Sequence, residues 1–148
     1  ICDLPEIKIG QIRTECRRDP IDIAILDYIQ LAKSEKKNDR RDIDIGEVTG
    51  GCLGMAKELD IPFFAAAQVG RAAEGREPNL SELRESGSIE QDARSVVFIY
   101  RNVDSCELIV AKHNNGPVGR VSAYFHEETM MFSAGTYNNF APNKDIDR

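Results

Sequence analysis

Residues 21–30 read Ile-Asp-Ile-Ala-Ile-Leu-Asp-Tyr-Ile-Gln, an isoleucine-rich run bounded by Asp19-Pro20 on one side and the polar Lys33-Ser34-Glu35-Lys36-Lys37 on the other. Such a run between polar boundaries suits a strand covered on both faces, the kind found in the parallel sheets of α/β domains. Asp27 then falls at the strand's exit. Ligands collect at the carboxyl ends of strands in open α/β sheets, so an acid there can face a nucleotide-bound Mg2+. Taken alone, the segment also fits a turn or cap carboxylate, the commoner use of an acid at a strand end.

Composition narrows the classes. A chain of 148 residues with 41% hydrophobic and 30% charged content has the balance of a soluble globular domain, one domain or a piece of one. No apolar run approaches the roughly 20 residues of a membrane span, and no signal peptide is evident. Cys2, Cys16, Cys52 and Cys106 form no CxxC pair, so the plain reading is buried thiols in a reducing cytoplasm. A net charge of -6 argues against an autonomous nucleic-acid binder, because counterion release needs clustered lysine and arginine. Any DNA contact is therefore expected to be local.

Working outward, Ile9, Ile12 and Cys16 recur at helical spacing within Ile7 to Arg18, which predicts a short amphipathic helix ahead of the strand. Ala32 to Asp42 is charged and reads as a solvated loop. From Asp44 to Asp60, Ile45, Val48, Cys52, Met55 and Leu59 mark a second helix, weakened at Gly50, Gly51 and Gly54 by about 1 kcal/mol each. Ile61 to Gln68 predicts a second buried strand ending on an amide, with Pro62 at its entry, where no ladder donor is needed. Strand, helix, strand in that order implies a parallel crossover. Val69 to Asn79 reads as a loop at the same edge as Asp27, and helical turns are expected near Ser81 to Arg84 and Ile89 to Ala93. Strands follow at Ser95 to Tyr100, Glu107 to Lys112 and Arg120 to Phe125, the last two joined by a turn at His113-Asn114-Asn115-Gly116-Pro117. Met130 to Phe132 suggests a short edge strand, and Asn138 to Arg148 a polar tail.

Together these segments resemble the C-terminal, RecA-like ATPase domain of DnaB-type replicative DNA helicases. The resemblance rests on Leu-Asp-Tyr-Ile-Gln-Leu at 26–31, Ala-Lys-Glu-Leu-Asp-Ile-Pro at 56–62, and Gln68 with Arg71 three residues later. It continues through Leu-Arg-Glu-Ser-Gly-Ser-Ile-Glu-Gln-Asp-Ala at 83–93, Phe-Ile-Tyr-Arg at 98–101, and Ala-Lys with Asn-Gly-Pro between 111 and 117. The fold it implies is α/β: a partial RecA-like P-loop NTPase core, mainly a parallel sheet with helices on both faces, closed by a C-terminal antiparallel hairpin. The implied boundaries are an ATPase-domain piece over 1–133 and a polar tail over 134–148.

The resemblance also implies roles. Asp27 matches the Walker B acid, whose hard oxygen suits the Mg2+ that bridges the terminal phosphates of ATP. Gln68 matches the residue that senses the γ-phosphate, where a neutral amide can donate and accept; read as bare sequence it also fits a capped strand end. Lys112 matches a lysine that reaches a neighbouring subunit's ATP in a homo-hexameric ring. Arg84, Glu85 and Gly87 match a loop that grips single-stranded DNA, Gly87 allowing close approach of the main chain and Arg84 supplying charge. Without the resemblance, Arg84 and Glu85 read as a solvated helix end.

Two positions depart from the pattern. Asn114 stands where the family places an arginine finger, leaving Lys112 or Arg120 as substitutes, and Arg94 stands where the family carries an acid. The chain begins on Ile1 and contains no G-x-x-x-x-G-K-[ST] loop, so that loop, the water-activating glutamate and a primase-binding domain are expected in segments preceding Ile1. Without the phosphate-loop strand, the Gln68 strand and the Ser95 strand are expected to leave a gap or to re-pair. The reading is a fragment of an ATP-driven, 5′ to 3′ hexameric DNA helicase of the cytoplasm, with ATP and Mg2+ as cofactors and with primase and a helicase loader as further partners. The fragment alone is expected to be inactive. Its competitors are a hydrolysis-deficient phage or prophage relative that binds DNA or a hexamer, and another RecA-fold ATPase.

Overall fold

A computed structural model of the chain describes residues 6–35, 40–70, 73, 75–102 and 106–141. The chain divides into two compact units, Ile1–Gly70 with Leu83–Ala93, and Arg71–Glu82 with Arg94–Arg148.

In the first unit, α1 (Ile9–Arg18) buries Ile9 and Ile12, the face expected from their spacing. Its first turn is closed by Gln11, whose Oε1 accepts the Lys8 N–H at 2.9 Å. Strand β1 is only Ala24–Leu26, and a 3₁₀ turn at Ile29–Leu31 follows. This corrects the longer strand expected over Ile21 to Gln30. The apolar run continues past the ladder because Ile29 is buried within the turn, not on the strand. Nor is β1 covered on both faces: Ala24 is buried, whereas Ile25 is 72% exposed.

Helix α2 (Arg41–Leu59) buries Ile45, Val48, Cys52 and Met55 at successive helical turns. Gly51 has a steric reason to be there, since a Cβ would overlap Ile9 Cγ1 where α1 passes. The helix stops at Asp60, which adopts the left-handed conformation (φ 53°) and returns its N–H to the Ala56 carbonyl. Strand β2 (Phe63–Ala65) then runs parallel to β1, with Ala24 opposite Phe63 and Leu26 opposite Ala65. Pro62 donates nothing to this ladder but accepts the Ala24 N–H at 3.0 Å, as its place at the strand entry requires. A 3₁₀ segment, Leu80–Ser86, leads into α3 (Gly87–Asp92), and Leu83 and Ile89 are buried.

The second unit is built on one antiparallel sheet in the order β3 (Ser95–Arg101), β4 (Cys106–His113), β5 (Val118–His126), β6 (Met131–Ala141). The α/β class holds, but among the described residues the antiparallel part is four strands rather than a hairpin, and the parallel sheet has two strands. Short connections at His113–Pro117 and Glu127–Met130 leave no room for a crossover, so neighbours must run antiparallel. The short edge strand expected at Met130 to Phe132 is instead eleven residues long, and residues 134–141, read as the start of a tail, pair with β5 as far as Ala141 opposite Val118. Residues 142–148 of the expected tail lie outside the described residues. Strands β2 and β3, expected to flank a missing strand, belong to separate sheets and do not pair with each other.

Candidate functional site at the carboxyl edge of the parallel sheet

Asp27 directly follows β1, and Gln68 lies three residues beyond β2. Because the two strands are parallel and in register from Ala24/Phe63 to Leu26/Ala65, both side chains belong to the same carboxyl edge. Both residues are exposed. The peptide between Asp27 and Tyr28 is cis.

The ladder register ends at Leu26 and Ala65, and further hydrogen bonds hold the edge beyond it. Ala66 N–H donates to the Leu26 carbonyl and Ile29 N–H donates to the Ala66 carbonyl, each at 2.9 Å. Gln30 then continues the connection with its side chain. Its Nε2 donates to the Gln68 carbonyl at 2.9 Å, and its Oε1 accepts the Gln68 N–H at 3.1 Å. A primary amide offers a donor and an acceptor side by side, matching the N–H and C=O that one extended residue presents along an edge. Sequence reasoning missed Gln30, although it lies three residues after Asp27 in the quoted string. Its amide chemistry was visible, but not the turn that aims it.

The remaining candidates are elsewhere. Arg84 and Glu85 lie on the backbone of the 3₁₀ segment and Gly87 opens α3, so the expected loop is a continuous helical run. The side chains of Arg84 and Glu85 lie outside the described part of the structure, as does Arg71. Gly87 is exposed, and a Cβ there would meet nothing within 4 Å. Lys112 belongs to the second unit, half-buried near the end of β4 and opposite Val96. The two departures from the resemblance are neighbours: the Asn114 N–H donates to the Arg94 carbonyl at 2.9 Å. Arg120 is already engaged, held by Glu77 and, at 3.2 Å, by Glu107. The described residues include no group of three or more His, Cys, Asp or Glu side chains able to hold a metal ion. A lone carboxylate at this edge still fits Mg2+, which keeps several waters and takes most other ligands from phosphates.

The family model described as the DnaB-like helicase C-terminal domain matches residues 1–134. The chain belongs to this family. Among its relatives, the replicative DNA helicase DnaB of Rickettsia prowazekii (strain Madrid E) is 39% identical over 165 residues, covering 89% of this chain and 34% of the relative. The DnaB of Geobacillus stearothermophilus is 38% identical over 149 residues, covering 89% of this chain and 33% of that protein. The chain thus spans about a third of the length of the curated relatives it matches. Among solved structures, one described as an ATPase domain superposes with a TM-score of 0.82 at 36% identity, covering 89% of this chain and 53% of that one. A DnaB-like replicative helicase whose structure was described with its interactions with primase gives a TM-score of 0.81, also at 36% identity, covering 89% and 37%.

Membership in the DnaB-like family accounts for the parallel β1–β2 pair. The RecA-like likeness is not confined to that pair, because each superposition covers 89% of the residues. No helix among the described residues is long and apolar enough to cross a membrane.

Proposed function

We propose that the chain is the later part of the ATPase domain of a hexameric replicative DNA helicase, which couples ATP hydrolysis to 5′ to 3′ movement along single-stranded DNA and to duplex unwinding. The observation that supports this most is the shared carboxyl edge of β1 and β2, where an exposed acid follows one strand and an exposed amide follows its parallel neighbour. Asp27 would hold Mg2+, and the metal, when bound, would supply positive charge that offsets charge on the terminal phosphates. Gln68 hydrogen-bonds the γ-phosphate and changes its contacts when that group leaves. Lys112 brings a cation to the nucleotide of the next subunit in a head-to-tail ring.

Arg84, Glu85 and Gly87 form the DNA-gripping segment, and α3 carries its position back to α2 through buried side chains of the first unit. The partners are single-stranded DNA, five further copies of the chain's parent protein, a primase and a helicase loader, in the cytoplasm. Primase is supported by the description of the similar DnaB-like helicase.

The test is Mg2+-dependent ATP turnover and unwinding by the full-length protein, with Asp27→Asn as control. The proposal expects turnover that single-stranded DNA stimulates and that Asp27→Asn abolishes. Turnover undiminished by Asp27→Asn sinks the metal role. Single-stranded DNA binding without any turnover selects the hydrolysis-deficient relative.

A further inference from the structure

The contact between Gln30 and Gln68 ties a side chain to a backbone, and it does so at both polar groups of one residue. Gln30 lies in the 3₁₀ turn that begins two residues after Asp27, and that turn is fixed in the core by buried Ile29. The Ile29 N–H bond to the Ala66 carbonyl fixes the same turn to the segment that leads from β2 to Gln68. Gln68 itself is exposed and lies beyond the last ladder residue, Ala65, so no strand pairing holds it. The two bonds from Gln30 are the connection that sets where the Gln68 Cα sits, and hence where its side chain starts.

We propose that Gln30 is a positioning residue: its amide clamps the Gln68 backbone to the turn that follows Asp27, so that the acid and the amide of the nucleotide edge respond to the terminal phosphate as one body. This rests on the reading of Gln68 as the group that senses that phosphate. The clamp needs both functions of the amide. A carboxylate at position 30 keeps an acceptor for the Gln68 N–H but sets a negative oxygen against the Gln68 carbonyl, and asparagine is too short by one methylene to reach. A side chain that merely filled space would tolerate both changes.

Three variants of the full-length protein test this: Gln30→Ala, Gln30→Glu and Gln68→Ala, together with the Gln30→Ala/Gln68→Ala double variant. The measurements are kcat and KM for ATP, the ratio of single-stranded DNA affinities with a non-hydrolysable ATP analogue and with ADP, and hydrogen exchange at the Gln68 amide. The clamp predicts faster Gln68 exchange in Gln30→Ala, and a kcat lower by about 10- to 100-fold, the size expected when a catalytic edge is misplaced by around 1 Å. KM should change less than about twofold, and the affinity ratio should fall towards one. Gln30→Glu, nearly the same size, should behave like Gln30→Ala even if the alanine variant assembles poorly. The double variant should be no worse than Gln68→Ala, since Gln30 acts through Gln68. If Gln68→Ala loses turnover and the affinity ratio while Gln30→Ala and Gln30→Glu keep both, the clamp is overturned and the Gln68 reading stands. If Gln68→Ala keeps both, the Gln68 reading falls and the inference falls with it. Additive losses in the double variant also overturn the clamp, because they give Gln30 a separate role.

Discussion

Thr49, on the buried side of α2, donates its hydroxyl to the carboxylate of Asp92, the last residue of α3. Six residues are too few to hold a helix unaided, so α3 depends on what it docks against. The Gly46 carbonyl, 3.0 Å from the same hydroxyl, competes for its single proton, but the charged acceptor is the stronger partner. Thr49→Val keeps the volume and removes the donor. It should raise hydrogen exchange across α3 by about 10- to 100-fold, corresponding to about 1.5–3 kcal/mol for a bond to a charged acceptor. Exchange in α1 should not change, and equal acceleration in both helices would show that the bond does not act locally.

Cys52 gives a pH dependence of known sign. Burial within α2 is the main reason its thiol is pushed from an ordinary value near 9 up to about 12, with nearby Cys16 adding to the shift. Below about pH 9 the thiol is neutral in folded and unfolded chains, and the full stability is present. Between about 9 and 12 only the unfolded chain loses the proton, so stability falls as pH rises, by about 1.4 kcal/mol per pH unit. Cys52→Ala costs packing at every pH but should remove that slope. Parallel stability curves for parent and variant from pH 8 to 10.5 would contradict it.

The helix spanning Ile45 to Leu59 was legible because burial follows its 3.6-residue period, and the β4–β5 turn because Asn-Asn-Gly-Pro admits little else. The same signal overextended β1. An apolar run reports burial, and Ile29 is buried without being in the ladder. For β6 the error had the opposite sign. Past Phe132 the sequence turns to Ser-Ala-Gly-Thr, which carries no alternating pattern, and the strand exists because β5 offers an edge to pair with. At the candidate site the residue types of Asp27 and Gln68 carried their own chemistry. The Gln30 clamp and the Thr49–Asp92 bond depend on where turns and helices aim side chains, which spacing alone does not encode.

Arg120 can be separated from Lys112. Two carboxylates, Glu77 and Glu107, already hold the Arg120 guanidinium in the second unit. A substitute for the missing arginine at 114 would have to abandon both. Arg120→Ala in the full-length protein should therefore leave ATP turnover within about twofold and, since the pair is half-exposed, change stability by less than about 1 kcal/mol. Its effect should be confined to the segment near Glu77, which becomes more open to limited proteolysis. Lys112→Ala should lower turnover. The reverse pattern would make Arg120 the cross-subunit cation.

The 84–87 segment makes two separable predictions. If Arg84 pairs with one phosphate, as proposed, Arg84→Ala should lower affinity for single-stranded DNA by a similar factor for every sequence, and the slope of log K against log salt should flatten by about 0.7. Gly87 tests the main chain instead. The fold does not require glycine there, because a Cβ would meet nothing within 4 Å and the backbone is not left-handed. Gly87→Ala should therefore leave the protein as stable as before, or up to about 1 kcal/mol more stable, since alanine suits a helix start better. If the main chain at 87 lies against a phosphate, the added methyl should still weaken DNA binding, with the salt slope unchanged because no charge is lost. Loss of affinity with stability retained supports a backbone contact with the DNA. Unchanged affinity in Gly87→Ala, with a flattened slope in Arg84→Ala, would leave charge alone as the means of holding DNA.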